Sequence, residues 1–243
     1  MGVIDAIRSE REKVKHTSFG MLHLCLPILG AAIFIIYYFL YGNMEDEKKL
    51  KMILELTATV FPLLISGIVS LNITLEERAA HFQTLLAEPS RCKIIIAKLM
   101  YIYGMGIFAL FILFLLFILG LHLLEIADTL QVAILIKAVL GIACCNFIIY
   151  ILHLFLSFKF GLGVSLFWGV FESLQCILYS NVELKGMARY IPFSWSINWI
   201  QDILQYQFSV HITEWIWIAM LTLGSVVLIL LWFSHWEGRK NYE

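Results

Sequence analysis

Charge is the scarcest ingredient of this chain. Only 14% of its 243 residues are Asp, Glu, Lys or Arg, against roughly 25% in ordinary soluble domains. Hydrophobic residues make up 61%. A soluble domain of this length could not hide so much apolar surface, so the expected solvent is lipid. The formal net charge is −1, which gives no sign of a nucleic-acid partner.

Several chemical signatures are also missing. No GxxxxGK[ST] occurs, so the chain cannot bind ATP by a P-loop. GxSxG and HExxH are absent as well. The five cysteines, Cys25, Cys92, Cys144, Cys145 and Cys176, show no CxxC or Cys/His spacing. That speaks against a disulfide framework or a zinc site, and small buried hydrophobes are the expected reading. No internal repeat, low-complexity tract or soluble domain is evident, so residues 1–243 are read as one domain. The stretch Asp5 to Lys15 carries charges of both signs, unlike the n-region of a cleaved signal peptide, so the first apolar run is expected to remain.

What the chain does contain is six apolar runs, at about 19–41, 52–74, 94–124, 131–157, 160–180 and 214–236. Each is near or above the roughly 20 residues needed to cross the hydrocarbon core. Strands with open edges would leave backbone groups unpaired in lipid. The expected fold is therefore an all-α polytopic membrane protein with six transmembrane helices. Lys and Arg fix the expected orientation. With the N-terminus inside, the inner segments carry Arg8, Arg11, Lys13, Lys15, Arg78, Arg91, Lys93, Lys159, Arg239 and Lys240. The outer ones carry Lys48, Lys49, Lys51, Lys185 and Arg189. Both termini are accordingly expected in the cytoplasm.

Three segments lie outside the spans. Residues 3–15 place Val3, Ile7 and Val14 on one stripe and predict a helix on the inner membrane surface; a frayed charged tail is the alternative. Glu76 to Lys93 predicts a short helix with Phe82, Leu85 and Leu86 on one face, stopped by Pro89 and followed by Ser90 as the next cap. Such an apolar ridge between two spans needs a surface to dock against. Arg189 to Phe208 predicts an amphipathic helix at the outer interface. Trp199, Ile200, Ile203, Leu204 and Phe208 share one face, and Asn198, Gln201, Asp202 and Gln205 the other. Simple anchoring is part of its expected work.

Inside the spans stand Lys137 and Glu172. Counted from the outer end of its span, Lys137 lies about 9 Å deep. Glu172 lies about 18 Å from the inner end of the next span. Similar depth on consecutive helices predicts an interacting pair, since an intramembrane carboxylate usually finds a partner. The alternative is a snorkelling Lys137 and a protonated or hydrogen-bonded Glu172. Two enzymatic readings remain open. His23 and His153 both fall towards the inner side, as a b-type haem would require. Glu76-Glu77 resembles the paired glutamates of CAAX-type intramembrane proteases, but His81 stands where those carry Arg, and the Phe19/His23 element precedes the glutamates instead of following them.

The run Glu-Glu-Arg-Ala-Ala-His-Phe-Gln-Thr-Leu-Leu-Ala-Glu-Pro-Ser-Arg from Glu76 to Arg91, with Lys98, resembles the first cytoplasmic loop of ABC-2-type exporter permeases. Phe82-Gln83-Thr84-Leu85-Leu86 and Tyr190-Ile191-Pro192-Phe193-Ser194-Trp195-Ser196 are similar to the lantibiotic immunity permeases of the MutG/EpiG or MutE/EpiE type. Phe193-Ser194 stands where those typically have Cys-Ala. The resemblance implies a transport subunit and no covalent chemistry. ATP and Mg would be bound by a separate P-loop ATPase subunit, and a second permease, homologous or identical, would complete the transporter. Glu76, Glu77, Phe82, Leu85 and Leu86 would form the ATPase-coupling helix. Trp195, Trp199 and Asp202 would face an amphipathic antimicrobial peptide, expelled from a bacterial plasma membrane for self-protection. Another lipid-like or small hydrophobic substrate is the alternative cargo.

Overall fold

A computed structural model describes residues 2–15, 17–41, 45–88, 90–125, 132–180, 185–205 and 212–239. Pro89, Asp128, Tyr206, Phe208 and Lys240 lie outside the described residues, as does Asn43. Described elements are helical throughout. In chain order they are α1 (Val3–Val14), α2 (Ser18–Leu40), α3 (Asp46–Ala80), α4 (Gln83–Leu86), α5 (Arg91–Leu123), α6 (Val132–Phe160), α7 (Leu162–Tyr179), α8 (Lys185–Ala188), a 3-10 turn (Pro192–Ser194), α9 (Trp195–Leu204) and α10 (Ile212–Ser234).

Among the described residues, six helices are long and apolar enough to cross a membrane: α2, α3, α5, α6, α7 and α10. Their packing is inverted relative to a soluble protein. Large apolar side chains such as Ile36, Phe111, Phe167, Leu174 and Leu228 are exposed, while Ser66, Ser70, Asn146, His153, Ser165 and Glu172 are buried. Water would make that arrangement costly, whereas a bilayer favours apolar groups outside and paired polar groups inside. The chain is a multi-pass membrane protein.

The long α3 is the central post, flanked by α7, α6 and α9, while α2 lies on α5. Small residues set the closest approach. A methyl group at Gly169 on α7 would run into the Ser66 side chain and stand 3.3 Å from the Leu63 Cα on α3. Backbones come together this way in membranes because dispersion contact replaces the missing hydrophobic drive. The core runs through Ile53, Ile65 and Val69 of α3 and Ile142, Ile149 and Leu154 of α6. Thr17 caps α2, its hydroxyl accepting from the Phe19 N–H at 3.3 Å. Ser90 stands at the cap of α5 as expected, without a side-chain capping bond.

Two predicted segments change shape. The loop helix expected over 76–88 is instead the end of α3, a break at His81 and Phe82, and the single turn α4. Both break residues have left-handed backbone, φ 44° and 65°, which is costly for residues with a Cβ. The reversal turns Phe82 back beneath the bundle. α1 buries Ala6, Glu10 and Val14 against the spans and leaves Val3 exposed. Its buried stripe shares Val14 with the expected Val3/Ile7/Val14 stripe but has Ala6 and Glu10 where Val3 and Ile7 were expected, and so it carries a carboxylate.

Candidate functional site

At the end of the bundle that carries both α1 and the 235–239 segment lies a charged cluster in which Lys98, Glu10 and Glu76 are buried and Lys13 covers them from the exposed side. Lys98, seven residues into α5, is 1% exposed. Its ammonium donates to Glu10 of α1, to Glu76 of α3 at 2.9 Å and to Asn72 of α3 at 3.1 Å. Lys13 donates to the same two carboxylates, at 2.7 Å to Glu10 and 2.9 Å to Glu76. Two cations and two anions thus cancel, and each carboxylate is shared, the condition under which buried charge is tolerated. Burial works against the Lys13 ammonium, but Glu10 and Glu76 together outweigh it and hold its pKa above the ordinary 10.5. Glu76 is therefore committed inside the fold, clamping α1 to α3 and α5. Sequence reasoning missed Glu10 because an amphipathic surface helix gives no reason to bury an acid.

The expected coupling residues are likewise occupied within the chain. Phe82 is 2% exposed and Leu85 is buried; Leu86 is half-buried against the core. The Phe82 ring packs 5.8 Å from Phe158 of α6 and 5.2 Å from Trp236. The ridge that seemed to need an external partner finds one in its own chain. Arg239 straps the same region. Its Nη1 donates to both Glu77 oxygens at 2.6 and 2.8 Å, its Nη2 to the Ser157 carbonyl at 2.6 Å, and its guanidinium lies 5.7 Å from the Phe82 ring. Arg91 adds a bond to the Trp236 carbonyl at 3.0 Å. What remains exposed on the 81–88 turn is the opposite face: His81, Gln83, Thr84 and Ala87.

Glu172 does not pair with Lys137. Its Oε2 lies 2.9 Å from His153 Nε2, and His153 Nδ1 lies 2.9 Å from Ser165 Oγ. Ser165 in turn reaches the Ser66 carbonyl at 3.4 Å. Lys137 is exposed and sixteen residues up the same helix from His153, about 24 Å away. The expectation failed because it counted Lys137 from the outer end of its span and Glu172 from the inner end of the next, as if one core thickness applied to both, whereas α6 has 29 residues and α7 has 18. Measured from their shared turn at Gly161, His153 and Glu172 sit at similar height and Lys137 far above. The row Ser165–His153–Glu172 can hold one proton between an imidazole and a carboxylate. All three side chains are fully buried, so it is closed to a substrate.

The same contacts bear on the enzymatic readings. Both ring nitrogens of His153 are engaged by Ser165 and Glu172, so it has no nitrogen for a haem iron. Glu76 and Glu77 point to different partners, Lys98 with Lys13 and Arg239, and do not converge on one centre. No group of His, Cys, Asp and Glu suited to a metal ion occurs among the described residues.

At the opposite end, α9 is wedged between α6 and α3 instead of lying on the surface. Trp195 is buried, and its indole N–H donates to the Arg189 carbonyl at 3.0 Å, so it cannot face a substrate. Trp199 is half-buried and donates to the Lys137 carbonyl at 3.0 Å. Gly141 makes room for it, since a Cβ there would collide with the indole. Asp202 is half-exposed. Beside α9 opens a recess of about 640 Å³ between α3 and α7, with Lys51, Glu55, Thr59 and Gln201 among apolar residues in its wall.

A second cavity is wholly different. Between α2, α3 and α5 runs an apolar slot of about 380 Å³, closed at its back by Tyr150 of α6. Ile33, Met52 and Leu56 on its rim are exposed, so it opens on the flank of the bundle. Gly106 of α5 admits the Tyr150 hydroxyl, which any side chain at that position would displace. No family model and no curated protein matches this chain.

Proposed function

We propose that the chain is the membrane-spanning subunit of an ABC exporter. ATP and Mg belong to a separate P-loop ATPase, and a second permease, homologous or identical, completes the assembly in a bacterial plasma membrane with both termini cytoplasmic. The observation that carries this reading is the mounting of the 81–88 turn. Phe82 and Leu85 root it in the bundle, and Arg239 and Arg91 tie it to α3, α6 and the 236–239 segment. A push on its exposed face would move α3, α5 and α6 as one block, which is what a coupling element must do. Contact with the ATPase then falls to His81, Gln83, Thr84 and Ala87, while Glu76, Glu77, Phe82, Leu85 and Leu86 supply stiffness.

The cargo we propose is an amphipathic molecule taken from the membrane, with a lantibiotic-like antimicrobial peptide as its class and self-protection as the outcome. The recess beside α9, lined by Lys51, Glu55 and Gln201 but not by Trp199 or Asp202, supports a peptide. The apolar slot supports the second reading, a lipid-like cargo.

Mild-detergent purification followed by mass spectrometry tests the proposal. A stoichiometric P-loop ATPase is expected to accompany the chain. Thr84→Arg with Ala87→Glu is expected to reduce that association at unchanged thermal stability, because both side chains point outwards. A complex that lacks an ATPase, or one indifferent to these changes, overturns the reading.

A further inference from the structure

His23 stands in the slot with half of its hydrogen bonding unmet. Its Nδ1 lies 2.9 Å from the Phe19 carbonyl. A carbonyl oxygen only accepts, so Nδ1 carries a proton and donates. Nε2 is buried with no partner. The ring is 1% exposed, lines the slot, and is held by the Phe19 ring at 4.6 Å. A buried nitrogen in this condition is costly unless something fills the cavity beside it.

The slot dictates the shape of that occupant. Along α2 it extends from Leu22 to Tyr37 and along α3 from Met52 to Ile68, a length of about 22–24 Å at the helical rise. That length and the 380 Å³ of room admit an extended alkyl chain. Its wall contains no Asp, Glu, Lys or Arg. An apolar void open to lipid loses dispersion contacts along its whole lining unless a chain enters it.

Chemistry at the His23 end narrows the class further. In the neutral ring Nε2 is an acceptor and requires an O–H; in the protonated ring it is a donor and favours an anionic oxygen. A carboxylic acid satisfies both states, with one proton held on oxygen or on nitrogen. An ester only accepts and so suits only the second state; an alcohol can pair with either but brings no counter-charge for the protonated ring. His23 lies five residues into α2, about 8 Å from its start, a depth at which a head can rest under the interface while its tail runs inward.

We propose that the slot between α2, α3 and α5 binds a long-chain fatty acid from the surrounding leaflet, with its carboxyl group on His23 Nε2 and its chain lying towards Tyr37. This site needs no ATPase and does not rest on the export reading.

The test uses the full chain, delipidated in mild detergent, with palmitic acid as the probe and methyl palmitate and octanoic acid as comparisons. Native mass spectrometry and titration calorimetry are expected to give one palmitate per chain. Methyl palmitate is expected to bind about tenfold more weakly, for the lost hydrogen bond. Octanoic acid should be weaker still, because each missing methylene removes buried area. His23→Leu is expected to weaken palmitate about tenfold and to erase the difference between acid and ester. Ala109→Phe, which plugs the slot, is expected to abolish binding of all three. Equal binding of acid and ester by the natural chain overturns the proposal. So does undiminished palmitate binding by His23→Leu, or a two-chain phospholipid in the slot that palmitate cannot displace. Should Ala109→Phe fail to fold, the acid-to-ester ratio in the natural chain and in His23→Leu still decides.

Discussion

His153 on α6 and Glu172 on α7 face one another with 2.9 Å between Nε2 and Oε2, wholly out of contact with the surroundings. The bond joins two helices that are consecutive in the chain, and Ser165 extends it to α3. Removing either partner strands the other in a low dielectric. His153→Leu and Glu172→Gln are each expected to cost about 2 kcal/mol. The double change should cost clearly less than their sum. Thermal unfolding in detergent measures the cycle, and Lys137→Met should show no coupling to Glu172→Gln.

Phe82→Ala is expected to act through stability. Phe82 fills the space between Phe158 and Trp236, and emptying such a site costs about 3–5 kcal/mol. Folded yield in detergent should fall sharply, whether or not any other protein is present. A variant with normal yield and a normal melting temperature would contradict the packing described above.

Alkaline pH should release α1. Lys13 has a folded-state pKa above the ordinary 10.5, because Glu10 and Glu76 outweigh its burial. A raised pKa means that its contribution is fully present below 10.5 and is lost as pH climbs through the folded value. Hydrogen exchange of the α1 amides, followed from pH 9 upward, should report loosening of this helix ahead of the bundle. Lys13→Met should remove that pH-dependent component, leaving Lys98 as the cation that holds Glu10, beside the apolar packing of Ala6 and Val14.

Gly141 and Trp199 form a size-matched contact whose logic can be inverted. Gly141→Val is expected to drive the indole off the Lys137 carbonyl and loosen α9, at a cost of about 1–3 kcal/mol for overpacking. Trp199→Ala vacates the same space, so the double variant should be more stable than Gly141→Val alone. Melting temperatures of the three variants decide this.

Much of the bundle was legible in the chain because lipid imposes one simple requirement, a sufficiently long apolar run. The expected spans at 19–41 and 214–236 fall within two residues of α2 and α10. Helices α3 and α5 extend past their apolar runs, as charged turns such as Asp46 to Lys51 continue helically beyond the hydrocarbon. Side-chain partners were harder to read. Apolar character in Phe82, Leu85 and Leu86 correctly signalled a need for burial, but hydrophobicity does not specify whose surface provides it, and Phe158 and Trp236 lie far along the chain. For Glu172, a partner could be sought from either end of the helix. Counting both helices from the tight turn at Gly161 leads to His153; counting one from its outer end and the other from its inner end leads to Lys137. Glu10 gave no signal at all, since its value depends on Lys98, whose own burial only the tertiary fold reveals.

The Arg239 strap also has a consequence in time. Arg239 leaves the ribosome only after all six membrane-length helices have been made, yet it is the residue that binds Glu77, the Ser157 carbonyl and the face of Phe82. Until it arrives, an acid on the second of those helices lacks its counter-charge and a ring beside it lacks its cover. This end of the bundle is therefore the last to gain its full set of contacts, whatever order the helices pack in.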